Sequence, residues 1–251
     1  MHRLLSAERG VSYAKKKITR RNLIKSALMM TAAAALMPSF PQVEASTPKE
    51  GFYISTIDDD LFSRIKGKSY KDYCTLPLED LRYLHLLHKD LQGKTREGEL
   101  ICNVYIAAAL LDIFIKLYES DYPIEKIRLV DEYNADDERS MRDNNSSCFN
   151  FRFISHTNKI SKHGLGLAVD INTLYNPYIK EVDGKRILEP ATAEDYVDRS
   201  KSFPCKIDKN DLCYKLFVAH GFEWGGSWEN RKDYQHFEIP DTIVKLLYPQ
   251  N

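Results

Sequence analysis

The chain has 251 residues, of which 43% are hydrophobic, and it carries 36 basic and 36 acidic side chains. This length and composition suit one hydrophobic core, and no internal repeat divides the sequence. Residues 1–45 hold eight of the basic and two of the acidic side chains, so the remainder has 28 against 34, a net charge of minus six. A mildly acidic mature chain lacks the basic footprint of nucleic-acid-binding proteins, and we therefore exclude nucleic acid as a partner.

The first 45 residues have the pattern of an export signal. A basic region precedes an apolar run over residues 27–37, and a small-residue site follows at Val43-Glu44-Ala45. The run is too short for a stable membrane span. Thr19-Arg20-Arg21-Asn22-Leu23-Ile24-Lys25 resembles a twin-arginine signal, with an ordinary secretory signal as the alternative. In both cases we expect export to the bacterial periplasm or another extracytoplasmic space, with no membrane span after signal removal.

Two helices are predicted in the next part of the chain. Leucines recur at helical spacing from Leu78 to Leu91, and a longer apolar helical pattern runs from Glu99 to Tyr118. His85 and His88 lie one helical turn apart, but no third ligand accompanies them, so they are expected on an ordinary amphipathic surface. The resulting division is a signal over 1–45, an extension with a packing helix over 46–98, and a core over 99–251.

The second half of the chain mixes strands with helices. An irregular polar segment, residues 134–152, is too rich in functional groups to be only a linker. The predicted elements are strands over Ile127–Tyr133, Leu167–Asn172 and Tyr234–Ile239, a hairpin around Val182–Lys185, and a helix over Asp211–Ala219 that ends at His220-Gly221. Without a regular βαβ rhythm, this order predicts a single α+β domain with a central antiparallel sheet flanked by helices.

The five cysteines match neither a dense disulfide scaffold nor a paired zinc motif. Cys205 and Cys213 bracket a short loop and would be able to close a small disulfide in an oxidising compartment, which the sequence leaves open. The other three are expected to be small buried hydrophobic residues.

Strand periodicity predicts where the polar residues of two segments point. In LAVDIN the period of two places Asp170 opposite the apolar face, and in DYQHFEI it places His236 opposite Phe237. The two side chains are therefore able to lie side by side on neighbouring strands. His163 precedes the first strand, and Gly164 and Gly166 give the chain the freedom to bend between them.

Together these residues offer two imidazoles and one carboxylate, a ligand set that suits a single zinc ion and leaves a fourth position open for water. Zinc acidifies water and polarises a carbonyl, but a positioned base must still move the proton. Asp233, three residues before His236, is the candidate base.

The paired motifs, Ser161-x-His163-x-x-Gly166-x-Ala168-x-Asp170 and Asp233-x-x-His236, resemble the M15 zinc peptidases of the bacterial cell wall. That family includes D-alanyl-D-alanine carboxypeptidases and L-alanyl-D-glutamate endopeptidases, and the similarity runs from about Glu99 to Pro240. It implies a hedgehog/D-Ala-D-Ala peptidase-like fold, with zinc held at His163, Asp170 and His236 and Asp233 as general base. Many members carry glutamate at the base position, so the aspartate leaves the choice of scissile bond open.

The resemblance also implies an arginine upstream of the first zinc histidine that holds substrate or stabilises the developing oxyanion. Arg152 is our first choice for this role and Arg139 the second. Ser161 is a candidate for contacting substrate or for orienting its loop. Trp228 and Tyr234 are candidates for lining the cleft, with ordinary packing as the alternative for both.

The sequence thus predicts an exported zinc metallopeptidase, monomeric, that hydrolyses peptidoglycan stem peptides by zinc-activated water. The alternative is a non-catalytic zinc-containing module that binds cell wall or protein, which loss of the base would favour. The sequence leaves open which peptide bond is cut, and whether the activity remodels the wall or recycles its fragments.

Overall fold

The computed structural model describes residues 49–154 and 157–250. The predicted export signal lies outside them. The helices are α1 (Asp59–Ile65), α2 (Val104–Glu119), α3 (Asp137–Arg142), α4 (Leu212–Ala219) and α5 (Asp241–Leu247). The strands are β1 (Tyr53–Ser55), β2 (Leu81–Lys89), β3 (Thr95–Asn103), β4 (Lys126–Ile127), β5 (Asn145–Ser146), β6 (Ala168–Asp170), β7 (Tyr178–Val182), β8 (Lys185–Glu189), β9 (Glu223–Trp224), β10 (Arg231–Asp233) and β11 (His236–Glu238).

The predicted α+β class is confirmed, with the antiparallel strands distributed over several small sheets. Three of these sheets have three strands each, in the orders β1-β2-β3, β10-β7-β8 and β6-β11-β9, and β4 pairs with β5 in parallel. The β6-β11-β9 sheet buries Val169 and Phe237 and turns its other face toward a cleft. Across residues 49–154 and 157–250, no helix has the length and apolarity that crossing a membrane requires.

The longest helix of the described residues, α2, packs its apolar side against the β1-β2-β3 sheet. Asn103 caps its first turn, because the side-chain oxygen accepts a hydrogen bond of 3.0 Å from the backbone N–H of Tyr105. Ile106, Leu110 and Ile113 recur at helical spacing and are fully buried. This helix therefore joins the first sheet to the rest of the core.

The helix predicted over Leu78–Leu91 is wrong, since the segment is a short 3-10 turn followed by strand β2. The buried positions from Leu84 onward are Leu84, Leu86 and His88, which alternate with period two. All nine residues of β2 pair with β3 across the turn at residues 90–94. Leucines on both faces of the strand produced the helical spacing, and pairing with β3 makes the segment a strand.

The helix predicted over Glu99–Tyr118 is correct only from Val104, because Glu99 to Asn103 complete β3. The predicted boundary before residue 99 therefore falls inside a strand. Buried residues on both sides of that boundary, such as Phe52 and Phe237, join one hydrophobic cluster.

The remaining predictions are partly or fully confirmed. Ile127–Tyr133 is extended only at Lys126–Ile127 and then forms a 3-10 turn, and the Tyr234–Ile239 segment contributes β11. The hairpin is confirmed as β7 and β8, joined at Asp183-Gly184. Helix α4 is confirmed too, with Asp211 capping its start.

All five cysteines are free thiols. The disulfide that the sequence left open between Cys205 and Cys213 is thus not formed. Both residues are buried, and the Sγ of Cys205 lies 3.5 Å from the carbonyl oxygen of Pro123. As predicted for the other cysteines, Cys102 and Cys148 pack as small core residues, whereas Cys74 is only partly buried.

Gly166 is expected to be the most sensitive glycine of the site loop. Its φ is +66°, and a Cβ there would lie 2.7 Å from the backbone nitrogen of Asn103. Gly184, at the hairpin turn, has a φ of +72° but open space around it. We predict that Gly184→Ala lowers the free energy of unfolding by about 1 kcal/mol, through strain alone, and that Gly166→Ala lowers it by at least about 2 kcal/mol. Chemical denaturation measures both, and equal losses would contradict the close approach.

Candidate active site

Strand pairing between β6 and β11 brings two of the predicted metal ligands together. In this antiparallel pair His236 lies directly opposite Asp170, and Phe237 lies opposite Val169. Phe237 and Val169 are completely buried. Because side chains alternate across a strand, their burial turns His236 and Asp170 to the opposite face.

The third ligand, His163, lies on the loop before β6, and backbone contacts hold that loop in place. The Oγ of Ser161 accepts a hydrogen bond of 2.9 Å from the N–H of Gly164, and the N–H of Ser161 donates to the carbonyl of Arg152 at 2.9 Å. A Cβ on Gly164 would lie 2.8 Å from that carbonyl oxygen. The glycine therefore permits the loop to approach the preceding chain closely enough to aim His163 at β6.

The three side chains converge on one point. The Nε2 of His163 lies 3.1 Å from the Nδ1 of His236 and 3.2 Å from a carboxylate oxygen of Asp170. The other carboxylate oxygen of Asp170 lies 2.9 Å from the Nδ1 of His236. One ligand atom from each residue lies within 4.8 Å of those of the other two, and both histidines are buried.

The outer ring nitrogens decide which way the lone pairs point. The Nδ1 of His163 lies 2.7 Å from the carbonyl oxygen of Cys148, which can only accept, so this nitrogen carries the proton. The Nε2 of His236 is likewise 2.9 Å from a carboxylate oxygen of Glu238. In the neutral rings, the inner nitrogens therefore face each other and Asp170 with unshared electron pairs.

When both rings are neutral, three converging lone-pair donors fit a cation, and two imidazoles with one carboxylate suit zinc; without a metal, the second proton of His236 supplies that positive charge. The electrostatics agree with this conclusion. Burial alone would lower the pKa of His236, but hydrogen bonds with Asp170 and Glu238 outweigh it and raise the pKa to about 10. Burial acts in the opposite sense on Asp170, yet the nearby His163 holds the pKa of that carboxyl well below its usual range. The site thus favours positive charge at its centre.

Asp233 lies beside this centre, at the end of β10. Its Oδ1 is buried and has no hydrogen-bond partner within the described part of the chain. Burial, followed by repulsion from Asp170, raises the pKa of Asp233 to about 7 against the attraction of His236. A Cβ on Gly225 would lie 2.8 Å from the Cβ of Asp233, so only glycine leaves room for the carboxylate there.

A chain of ion pairs behind His236, which runs from partly buried residues to the surface, was missed at the sequence level. Glu238 accepts from His236 and lies 2.9 Å from the Nζ of Lys162, which also contacts Asp241 at 2.6 Å. These contacts and the positive charge of His236 keep the pKa of Glu238 down, at about 2, although burial opposes them. The available signal was periodicity, because His236 and Glu238 alternate onto the same face of β11.

The cleft around these residues has a volume of about 530 Å³ and is lined by His163, Asp170, His236, Asp233, Ser161, Trp228 and Arg152 among others. The guanidinium of Arg152 is partly exposed and pairs with Asp137 at 3.2 Å. Trp228 lies with its ring centre 5.4 Å from that of His236. The structure therefore gathers most of the predicted site residues in one place.

Two predicted substrate contacts lie elsewhere. Arg139 lines a separate shallow pocket with Tyr133, Arg142 and Asp143. The side of α3 that lines the cleft carries Asp137, Ser140 and Met141 instead. Tyr234 packs against Trp224, and the guanidinium of Arg199 lies 4.3 Å over its ring. Tyr234 therefore packs outside the lining of the cleft, in agreement with the packing alternative that the sequence left open.

This arrangement, a cleft with a metal-capable centre and a carboxylate with one buried, unpaired oxygen, is that of a hydrolase site. Residues 155–239 match the family model described as D-alanyl-D-alanine carboxypeptidase, an M15 peptidase family. The match confirms the resemblance to the M15 peptidases over this segment, which is shorter than the predicted range from Glu99 to Pro240, and supports a peptidase related to peptidoglycan. The matched segment contains His163, Asp170, Asp233 and His236. No solved structure matches the chain significantly.

Glu238 is expected to strengthen metal binding through His236. We predict that Glu238→Gln weakens zinc affinity roughly 10- to 100-fold, because the ring loses a charged acceptor that fixes its tautomer. Competition with a chromophoric chelator measures this. The matched control is Glu223→Gln, since Glu223 lies opposite Glu238 on β9 and is exposed. Equal affinity of the two variants would contradict the role of Glu238.

Proposed function

We propose that this protein is an exported zinc metallopeptidase that hydrolyses peptide bonds in peptidoglycan stem peptides. The observation that carries the proposal is the convergence of three metal-capable side chains beside Asp233, whose buried Oδ1 has no partner in the described part of the chain. A metal site that only stabilised the fold would have no use for an unpaired carboxylate oxygen at its edge. The family match over residues 155–239 supports the same reaction class.

His163, Asp170 and His236 would hold the zinc ion, which supplies Lewis acidity that acidifies water and polarises the scissile carbonyl. Asp233 takes the proton from the attacking water. Burial raises the pKa of the carboxyl, which makes it a stronger base than an exposed aspartate. The same carboxyl then passes the proton to the leaving amine, so no further acid is required.

Arg152 is the candidate for stabilising the charge that develops on the carbonyl oxygen. It lines the cleft, and the carbonyl of its own backbone anchors the loop of His163. Its ion pair with Asp137 orients the guanidinium and leaves N–H groups free to donate. A preorganised cation of this kind costs little rearrangement when the negative charge appears.

Export and assembly complete the proposal. The twin-arginine pattern in residues 1–45 supports export of the mature enzyme from the bacterial cytoplasm, to the side where its proposed substrate is found. We also propose that the mature enzyme is a monomer.

Asp233→Asn tests the mechanism. We predict that this variant binds one zinc ion per chain with near-normal affinity and loses at least about 10²-fold in kcat, because the amide cannot accept the proton. Metal content is measured by mass spectrometry of the native protein, and turnover by digestion of peptidoglycan and defined stem peptides. Added chelator should stop cleavage by the wild-type protein, and zinc should restore it.

Retained turnover in Asp233→Asn would remove this residue from the role of base. If the folded, zinc-loaded wild-type protein cleaved none of these peptides but bound them, the protein would instead be the non-catalytic wall-binding module. The same digests separate the two bonds, since loss of terminal D-alanine and release at L-Ala-D-Glu give different masses.

A further inference from the structure

The β10-β7-β8 sheet forms one wall of the cleft, and its register places two rows of side chains on the same face. The first row is Asp233, Tyr178 and Glu189, and the second is Arg231, Lys180 and Ile187. Cross-strand neighbours share a face, and every member of the first row lines the cleft together with Arg231. The wall is therefore acidic next to the metal centre and basic one row further out.

Arg231 and Lys180 are an unusual pair because like charges placed directly opposite each other on adjacent strands repel. Neither forms an ion pair with a carboxylate anywhere in residues 49–154 and 157–250. The other cations of the cleft are compensated, since Arg152 contacts Asp137 at 3.2 Å and Lys162 contacts Glu238 at 2.9 Å. Two uncompensated cations side by side would be relieved by an anion bound between them.

The guanidinium of Arg231 is held in a defined position near the reaction centre. It lies 4.1 Å over the ring of Trp228, and that ring lies 5.4 Å from the ring of His236. Stacking occupies the face of the guanidinium and leaves its N–H edge free, the geometry that binds a carboxylate through two parallel hydrogen bonds. Trp228 thus connects this cation to the metal centre.

We propose that Arg231 and Lys180 form a clamp for a carboxylate of the peptide substrate. The inference rests on the proposed function and extends it to substrate selection. Arg231 lies two residues from Asp233 along β10, a spacing of about 7 Å, and an extended peptide covers about 3.5 Å per residue. A carboxylate one or two residues beyond the scissile carbonyl therefore reaches the clamp.

That carboxylate has two possible sources in a stem peptide. It is either the free C-terminus, as in a carboxypeptidase substrate, or the carboxylate of an acidic residue within the chain. Both present the same planar anion to Arg231, and the acidic first row disfavours either anion nearer the metal centre. The clamp consequently selects acidic peptides over neutral ones and fixes their direction in the cleft.

The test uses the zinc-loaded mature protein and the variants Arg231→Gln, Lys180→Gln and their combination. Lys209→Gln is the matched control, because Lys209 is exposed and the charge change is the same. The substrates are one stem-type pentapeptide as the free acid, the same peptide as its C-terminal amide, and a third in which the internal acidic residue is replaced by its amide. For the substrate that carries the clamped carboxylate, we expect the double variant to raise KM roughly 10- to 100-fold with little change in kcat.

The outcomes separate the two sources and the two proposals. If wild type prefers the free acid over its C-terminal amide and the double variant does not, the clamp binds the C-terminus. If wild type prefers the internal acidic residue over its amide and the double variant does not, the clamp binds that side chain. Unchanged preferences in the double variant, or losses matched by Lys209→Gln, would overturn the clamp.

Should the wild-type protein cleave none of the peptides, the proposed function fails while the clamp is still tested by calorimetric titration with the same uncleaved peptides. Tighter binding of one acidic form by wild type, lost in the double variant, supports the clamp as a binding site. Equal affinity for all three peptides overturns it.

Discussion

The active-site cleft depends on one cross-strand pair, His236 opposite Asp170. Its register is set by the other side of the same strands, where Phe237 and Val169 are completely buried. A slip of one residue would expose these two apolar side chains and bury two polar ones, so hydrophobic packing makes that register far more stable than its neighbours. The metal-capable face is thus a direct consequence of how the core packs.

Holding unshared electron pairs together inside a protein is costly, and the surrounding structure offsets that cost. The carbonyl of Cys148 fixes the proton of His163, and Glu238 fixes that of His236. Lys162 then compensates the charge of Glu238. Each outer contact satisfies a polar group that would otherwise be buried alone, so the centre is preorganised for a cation. Asp233 is the exception, and its unpaired oxygen is what the proposed chemistry requires.

Much of this site follows from the sequence, because alternation in LAVDIN and in the segment around His236 is a local property. The period of two predicted the face of the strand on which Asp170 and His236 each lie, whereas their direct opposition depends on the register. The strand β2 could not be predicted from the sequence, because leucines on both of its faces recur at helical spacing. Only the pairing with β3 shows that the segment is a strand. Arg139 could not be placed either, since the direction of a side chain from α3 depends on tertiary packing. Arg231 and Lys180 are 51 positions apart, so their opposition becomes visible only with the strand register.

The central claim is that His163, Asp170 and His236 hold a zinc ion, and X-ray absorption spectroscopy of the zinc-loaded protein tests it most directly. The account predicts a first shell of nitrogen and oxygen atoms at about 2.0–2.1 Å, with outer-shell scattering from two imidazole rings and no sulfur. The five free cysteines are possible alternative zinc ligands, and the spectrum would reveal their sulfur atoms. A sulfur shell at about 2.3 Å, or a first shell without two imidazoles, would contradict the account.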